Sequence, residues 1–282
     1  MAEISDIGDL ERAVAEKRVP QVDVFSLVSV IGKGDYCIAF RAHAGDNPTW
    51  LHYAVLFPLK PEYHRRVKNK GRLLQVYKKN PHQTRFICEG MYRGMPFLVE
   101  SYARPLTQVL ELARTGFRAN TEEFAGFMDD LLGALDFYHA QGYVLDLHPG
   151  NLGIDSSKVK LLDIDFASSG LAQRAGISGQ KAQTGISNFD NTYLYAAPEV
   201  CAGEAPTPSS NIYSAGALGF ALLIGCPPQR WEHDVHALRP ELPRWTSSLL
   251  ASMVQQNERR PSAYDVQKWL QGYLEHDEVH WR

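Results

Sequence analysis

The sequence predicts an α+β chain, with a small antiparallel sheet and one main helix first and a larger, mostly helical part after it. Three observations predict this. Residues 24–59 alternate with a period of two, with Val24, Ser26, Val28, Val30 and then Tyr53, Val55 and Phe57 taking alternate faces. Residues 86–88 and 96–100 read as two further strands of the same sheet. Beyond residue 103 the period becomes helical, with Phe124, Phe127, Met128, Leu131, Leu135 and Tyr138 on one face.

The chain has 282 residues, more than one average domain and within reach of a bilobed unit with two small cores. Its 29 Lys and Arg against 32 Asp and Glu give a formal net charge of −3, so bulk electrostatics select no class of partner. Cys37, Cys88, Cys201 and Cys226 are far apart and form no Cys-x-x-Cys pair. They read as reduced thiols of a cytosolic protein, not as a disulfide frame or metal site. The first residues are acidic, without the basic-then-apolar order of a secretory leader, and the longest apolar run, residues 215–226, is too short to span a bilayer. The expected location is therefore cytoplasmic, with a secreted effector acting in a cytosol as the other route, and no membrane contact is expected.

Taken in order, residues 4–17 place Ile4, Ile7, Leu10 and Val14 on one face of an amphipathic helix that stops before Pro20. Packing on the following domain is the expected role, and a partner-binding arm is the other. Between the first strands lies Ile31-Gly32-Lys33-Gly34-Asp35-Tyr36-Cys37, where glycines let backbone amides approach phosphates or simply close a hairpin. Residues 63–77 read as a helix weakened by Gly71. Residues 60–85 carry Lys60, Arg65, Arg66, Lys68, Lys70, Arg72, Lys78, Lys79 and Arg85 against the single acid Glu62. Such a run is a solvated face or a dock for an acidic or phosphorylated protein partner. Nucleic acid is not expected, because aromatic interleaving is sparse. Asn120 followed by Glu123 signals the start of the long helix that ends at Gly142.

That helix delivers the chain to Val144-Leu145-Asp146-Leu147-His148-Pro149-Gly150-Asn151, followed by Val159-Lys160-Leu161-Leu162-Asp163-Ile164-Asp165-Phe166-Ala167. Phosphoryl transfer needs a carboxylate to orient a hydroxyl and oxygen ligands to hold magnesium against nucleotide phosphates. Asp146 suits the first task; Asn151 and Asp163 suit the second.

The spacing of these residues resembles the catalytic loop and metal-binding turn of protein kinases. Thr192-Tyr193-Leu194-Tyr195-Ala196-Ala197-Pro198-Glu199 is similar to that family's docking loop and Ala-Pro-Glu motif, with Thr192 at the position typical of Ser/Thr specificity. Glu199 is expected to pair with Arg260, and residues 210–216 resemble the start of the central buried helix, with Asn211 where the family has Asp. The resemblance runs from about residue 24 to 270.

It implies the bilobal protein-kinase fold, with a helical extension over residues 1–23, an N-lobe over 24–100 and a C-lobe over 101–282. It also implies ATP and Mg2+ as cofactors and a protein substrate. Asp146 and His148 are then the expected catalytic residues, with His148 where Ser/Thr kinases place a lysine. Gly32, Lys33, Gly34, Ala54, Glu100, Tyr102 and Asn151 are expected to bind nucleotide, with residues 100–103 as the hinge. Asn151 and Asp163 are expected to hold metal, with Asp165 competing for that role. Val144 is expected to pack inward, and Leu145 removes the arginine that reads an activation-loop phosphate.

The departures cluster near the phosphates. Cys37 takes the third glycine position, Leu56 stands where the strand lysine belongs, and Lys70 stands where its glutamate partner belongs. Lys33, Lys60 and Lys70 are the candidates for a relocated lysine, as in the with-no-lysine kinases. The expected function is an atypical Ser/Thr kinase, and the alternative is a pseudokinase acting as a scaffold. A small-molecule phosphotransferase of the aminoglycoside or choline type follows, on the Asp-Leu-His-Pro-Gly-Asn phrase. Ser178, Thr184 and Ser187 are candidate phosphorylation sites in a Ser-, Gly- and Gln-rich segment.

Overall fold

The structure, a computed structural model, describes residues 6–34, 36–45, 52–116, 118–163, 192–226 and 234–280. It divides into two compact units, Met1–Ala103 and Arg104–Arg282. Asp165 and the candidate phosphorylation sites lie outside the described residues.

The first unit opens with helix α1 (Ile7–Ala15), whose Asp6 cap accepts from the Asp9 N–H. A six-stranded sheet follows: β1 (Gln21–Val22), β2 (Phe25–Lys33), β3 (Cys37–Ala44), β4 (Tyr53–Pro58), β5 (Phe86–Tyr92) and β6 (Met95–Ser101), in the spatial order β1-β2-β3-β4-β6-β5. All of its pairs are antiparallel. Helix α2 (His64–Val76) connects β4 to β5.

Strand alternation gives this sheet two apolar faces. Phe25, Leu27, Ile38, Phe40, Ala42, Val55, Phe57, Phe97 and Val99 form one core, closed by Leu10 and Val14 of α1. The intervening residues Ala54, Leu56, Leu98 and Glu100 belong to the other face. There α2 lies close enough that a Cβ on Gly71 would sit 3.3 Å from Leu98 Cδ1. Gly71 therefore permits close packing rather than merely weakening the helix.

Phe25 and Leu27 are buried, whereas Val24 is 56% exposed and Val30 37%. Leu27 pairs with Ala42, and irregularities between Leu27 and Ser29 and between Val30 and Gly32 shift the register, so strict alternation does not persist along the strand.

The second unit starts with β7 (Arg104–Pro105), α3 (Leu106–Arg114) and α4 (Thr121–His139). The Asn120–Glu123 capping box expected for α4 is formed in both directions. Strands β8 (Leu152–Asp155) and β9 (Lys158–Leu161) pair antiparallel and extend β7 into a three-stranded sheet. Helices α5 (Pro198–Cys201), α6 (Pro208–Ile224), α7 (Val235–Leu238), α8 (Arg244–Met253) and α9 (Ala263–His280) follow. Every residue of α6 from Ser210 to Leu223 is buried, as its continuous apolar sequence predicts. Gly219 makes that packing feasible, since a Cβ there would meet Met128, Leu250 and Phe124 at 2.9–3.0 Å. A small α+β unit and a larger helical one are what the period change predicts.

Candidate active site

Just beyond α4, Gly142 turns the chain at a φ of 77° that L side chains rarely adopt. Leu145 is then drawn inward at 2% exposure, while Val144, expected to pack inward, stays partly exposed. The cause is Asn211 in the first turns of α6. Its Nδ2 donates to the Leu145 carbonyl at 2.7 Å, and its Oδ1 accepts from the Leu145 N–H at 2.9 Å. The same oxygen meets His139 Nε2 at 3.1 Å, so that nitrogen carries the proton. Burial pushes the His139 imidazole below its usual pKa, against the raising effects of Asn211 and Asp136.

Asp146 follows directly on this anchor. Asn151 Nδ2 donates to the Asp146 carbonyl at 2.9 Å, and the Asn151 N–H donates to the His148 carbonyl at 3.0 Å. The Leu162 N–H donates to the Asn151 carbonyl at 2.8 Å, which ties the residue before Asp163 to the same loop. Asp130 of α4 steadies the approaching strand: its carboxylate accepts from Lys158 Nζ at 3.0 Å and the Val159 N–H at 3.2 Å. The structure thus brings Asp146, His148 and Asn151 onto one hydrogen-bonded loop, to which Leu162, the residue before Asp163, is also bonded.

His148 is oriented within it. Its Nδ1 accepts from the Gly150 N–H at 3.1 Å, so Nε2 bears hydrogen and lies 3.9 Å from Asp146 Oδ2. A Cβ on residue 150 would stand 2.9 Å from His148 Cε1, so glycine is what leaves room for the ring. The two side chains are 16% and 17% exposed.

The expected nucleotide residues of the first unit do not all gather. Gly32 and Lys33 pair with Ala39 and Ile38 at the end of the β2–β3 hairpin, and the Gly34 N–H donates to the Cys37 carbonyl at 2.9 Å. Lys33, opposite Ile38, lies on the α1 side of the sheet and meets Glu11 of α1 at 2.8 Å. Ala54 and Leu56 belong to the opposite, α2 side. Glu100 lies within β6, with its side chain buried between Lys70 Nζ at 3.0 Å and Thr84 Oγ1 at 2.9 Å. The Tyr102 N–H is directed at the His52 carbonyl at 3.4 Å, and its ring meets His52 edge-on.

Thr84 and the side chain of Glu100 were not legible as a cluster. The available signal was an acid ending the buried run Phe97-Leu98-Val99, since a buried carboxylate requires partners.

Later in the chain, Glu199 and Arg260 form the expected ion pair, with Arg260 Nη2 3.0 Å from Glu199 Oε2 and the Ser210 hydroxyl donating to Oε1 at 3.0 Å. Arg260 is 1% exposed at its side chain and stacks over Tyr213 at 5.0 Å. Beside Asp146, Leu147, Ala196, Ala197, Val200 and Ser210 line a small hollow.

A sheet unit, a helical unit and this loop are the parts of a protein-kinase-like fold. The Mycobacterium tuberculosis PknI kinase domain, solved as a point mutant, superposes with a TM-score of 0.57 over 90% of this chain and 96% of that chain, at 19% identity, which shows the fold. The chain belongs to the protein kinase domain family, whose model matches residues 65–277.

Ribosomal protein S6 kinase beta of Caenorhabditis elegans is 28% identical over 222 residues, covering 72% of this chain and 37% of that protein. Serine/threonine-protein kinase PknK of Mycobacterium bovis is 28% identical over 205 residues, covering 71% and 18%. The chain therefore spans well under half the length of these relatives. Members of the family generally use ATP and Mg2+ and act on protein substrates. No helix among the described residues is long and apolar enough to cross a membrane.

Proposed function

We propose that the chain is an ATP- and Mg2+-dependent Ser/Thr protein kinase of atypical design, with the phosphate-binding lysine absent from its usual strand position, Leu56. The observation that carries this reading is the hydrogen bond from Asn151 Nδ2 to the Asp146 carbonyl. It fixes the candidate base and a candidate metal ligand on one turn, and Leu162 adds Asp163 to it.

Asp146 accepts the proton of the attacking hydroxyl and orients that oxygen. His148, held by Gly150, places its Nε2–H on the Asp146 side, 3.9 Å from Oδ2. The donors fit magnesium, which takes hard oxygen ligands from one or two carboxylates and phosphates. With Nδ2 engaged, Asn151 offers Oδ1, and Asp163 offers its carboxylate. When bound, the metal neutralises phosphate charge.

Arg65, Arg66, Lys68 and Arg72 of α2 are exposed, and Arg66 also stacks over Tyr36 at 5.3 Å. This charged face suits an acidic or phosphorylated protein partner, and Lys70, being buried, does not belong to it.

A pseudokinase scaffold is the second reading. Leu56 favours it, because a leucine 4% exposed supplies no charge to a phosphate.

A thermal-shift titration with ATP, with and without Mg2+, tests the proposal. A shift that deepens with Mg2+ is expected, by linkage of binding to stability. No shift under either condition sinks it.

A further inference from the structure

Resting on the kinase reading above, we propose that Lys70 of α2 is the phosphate-binding lysine and that Glu100 of β6 is its partner. The usual helix-to-sheet ion pair then persists with its polarity reversed. In the family's arrangement the strand supplies the lysine and the helix the glutamate. Here the helix supplies the lysine and the strand the glutamate.

Geometry separates Lys70 from its two rivals. Lys33 lies on the α1 face and is held by Glu11. Lys60 lies beyond β4, 62% exposed, with Glu62 at 3.9 Å. Lys70 alone of the three reaches the sheet face that carries Ala54 and Leu56. Glu100 stands directly opposite Ala54 in the β4–β6 register, and directly opposed residues share a face. Lys70 Nζ is 3.0 Å from its Oε1, with side chains 9% and 4% exposed. The Thr84 hydroxyl occupies Oε2 at 2.9 Å, which fixes the carboxylate. Gly71 allows α2 close enough to β6 for the lysine to reach.

The chemistry points the same way. A buried ion pair is usually no more stabilising than apolar residues of the same volume. Stability therefore gives little reason for two charges at this place. An anionic ligand does, because Glu100 and Thr84 keep an ammonium oriented in advance of its arrival.

The test uses the full chain and compares affinity for Mg2+·ATP with affinity for adenosine, which lacks phosphates, in wild type, Lys70→Gln, Lys33→Gln and Lys60→Gln. Lys70→Gln should weaken Mg2+·ATP by about tenfold or more, the scale of one charge-assisted phosphate contact, and leave adenosine unchanged. Lys33→Gln and Lys60→Gln should change neither. If Lys70→Gln does not fold, the double variant Lys70→Met/Glu100→Leu removes the pair without stranding a charge, and the same comparison applies. An unchanged ATP-to-adenosine ratio in a folded Lys70 variant overturns the assignment while leaving the kinase reading in place. Wild type that binds neither ligand overturns the kinase reading and this assignment with it.

Discussion

Asn211 grips Leu145 by both backbone groups, donating to its carbonyl at 2.7 Å and accepting from its N–H at 2.9 Å. An aspartate, the residue expected from family resemblance, can make only the second bond and would face the carbonyl with a carboxylate. Asn211→Asp should destabilise the chain by about 1–3 kcal/mol, the cost of an unsatisfied buried polar group. Thermal denaturation at pH 7.5 measures it, and a melting temperature equal to wild type would remove the clamp from the account.

The neighbouring His139 gives this anchor a pH dependence. Its folded pKa is lowered by burial, so the unfolded chain takes up its proton first as pH falls. The contribution is complete above the unfolded value near 6.5 and erodes below it. His139→Gln, which retains a side-chain donor, should flatten the stability profile just below pH 6.5. An unaltered profile would show that His139 plays no part in it.

Glu199 adds an acid-side dependence. Burial raises its pKa, but Arg260 and Ser210 more than compensate, and the net shift is downward. A depressed carboxylate stabilises above its unfolded pKa and loses that contribution as pH falls through the folded value. Removing the partner strands a buried charge, so Arg260→Ala should cost about 3–5 kcal/mol at pH 7. In Arg260→Ala the loss of stability on going from pH 6 to pH 3 should be smaller than in wild type; an equal loss contradicts the pairing.

Two substitutions in the first unit separate packing from surface charge. Leu10→Ala empties a fully buried position under the sheet and should cost about 2–5 kcal/mol. Lys33→Ala breaks a pair whose side chains are 49% and 37% exposed and should cost no more than about 1 kcal/mol. Chemical denaturation of the two variants checks the ranking.

Much of the second unit was legible because its signals are local. The Asn120–Glu123 cap and the apolar run of α6 each act within a few turns of chain. The first unit was less legible because strand faces depend on register, and one residue of slip exchanges inside for outside. Lys33 looked suited to phosphates until its pairing with Ile38 put it on the α1 face. The Lys70–Glu100 pair joins positions 30 residues apart, and no local pattern announces it.

Gly150 offers a probe of site geometry. Gly150→Ala would force the His148 ring away from its place, and displacements of this size lower kcat by about 10–100-fold. The residue is exposed, so the melting temperature should hardly change. A fall in stability without a fall in kcat would contradict the role given to His148.

The most direct test is transfer of labelled phosphate from ATP in the presence of Mg2+, to the chain itself or to a generic protein substrate, in wild type and in Asp146→Ala. Incorporation by wild type, abolished in an Asp146→Ala protein that still shows the ATP-induced thermal shift, is the predicted result. Equal incorporation by both proteins, or none by a wild type that binds Mg2+·ATP, would contradict the assignment of Asp146 as the base of a working kinase.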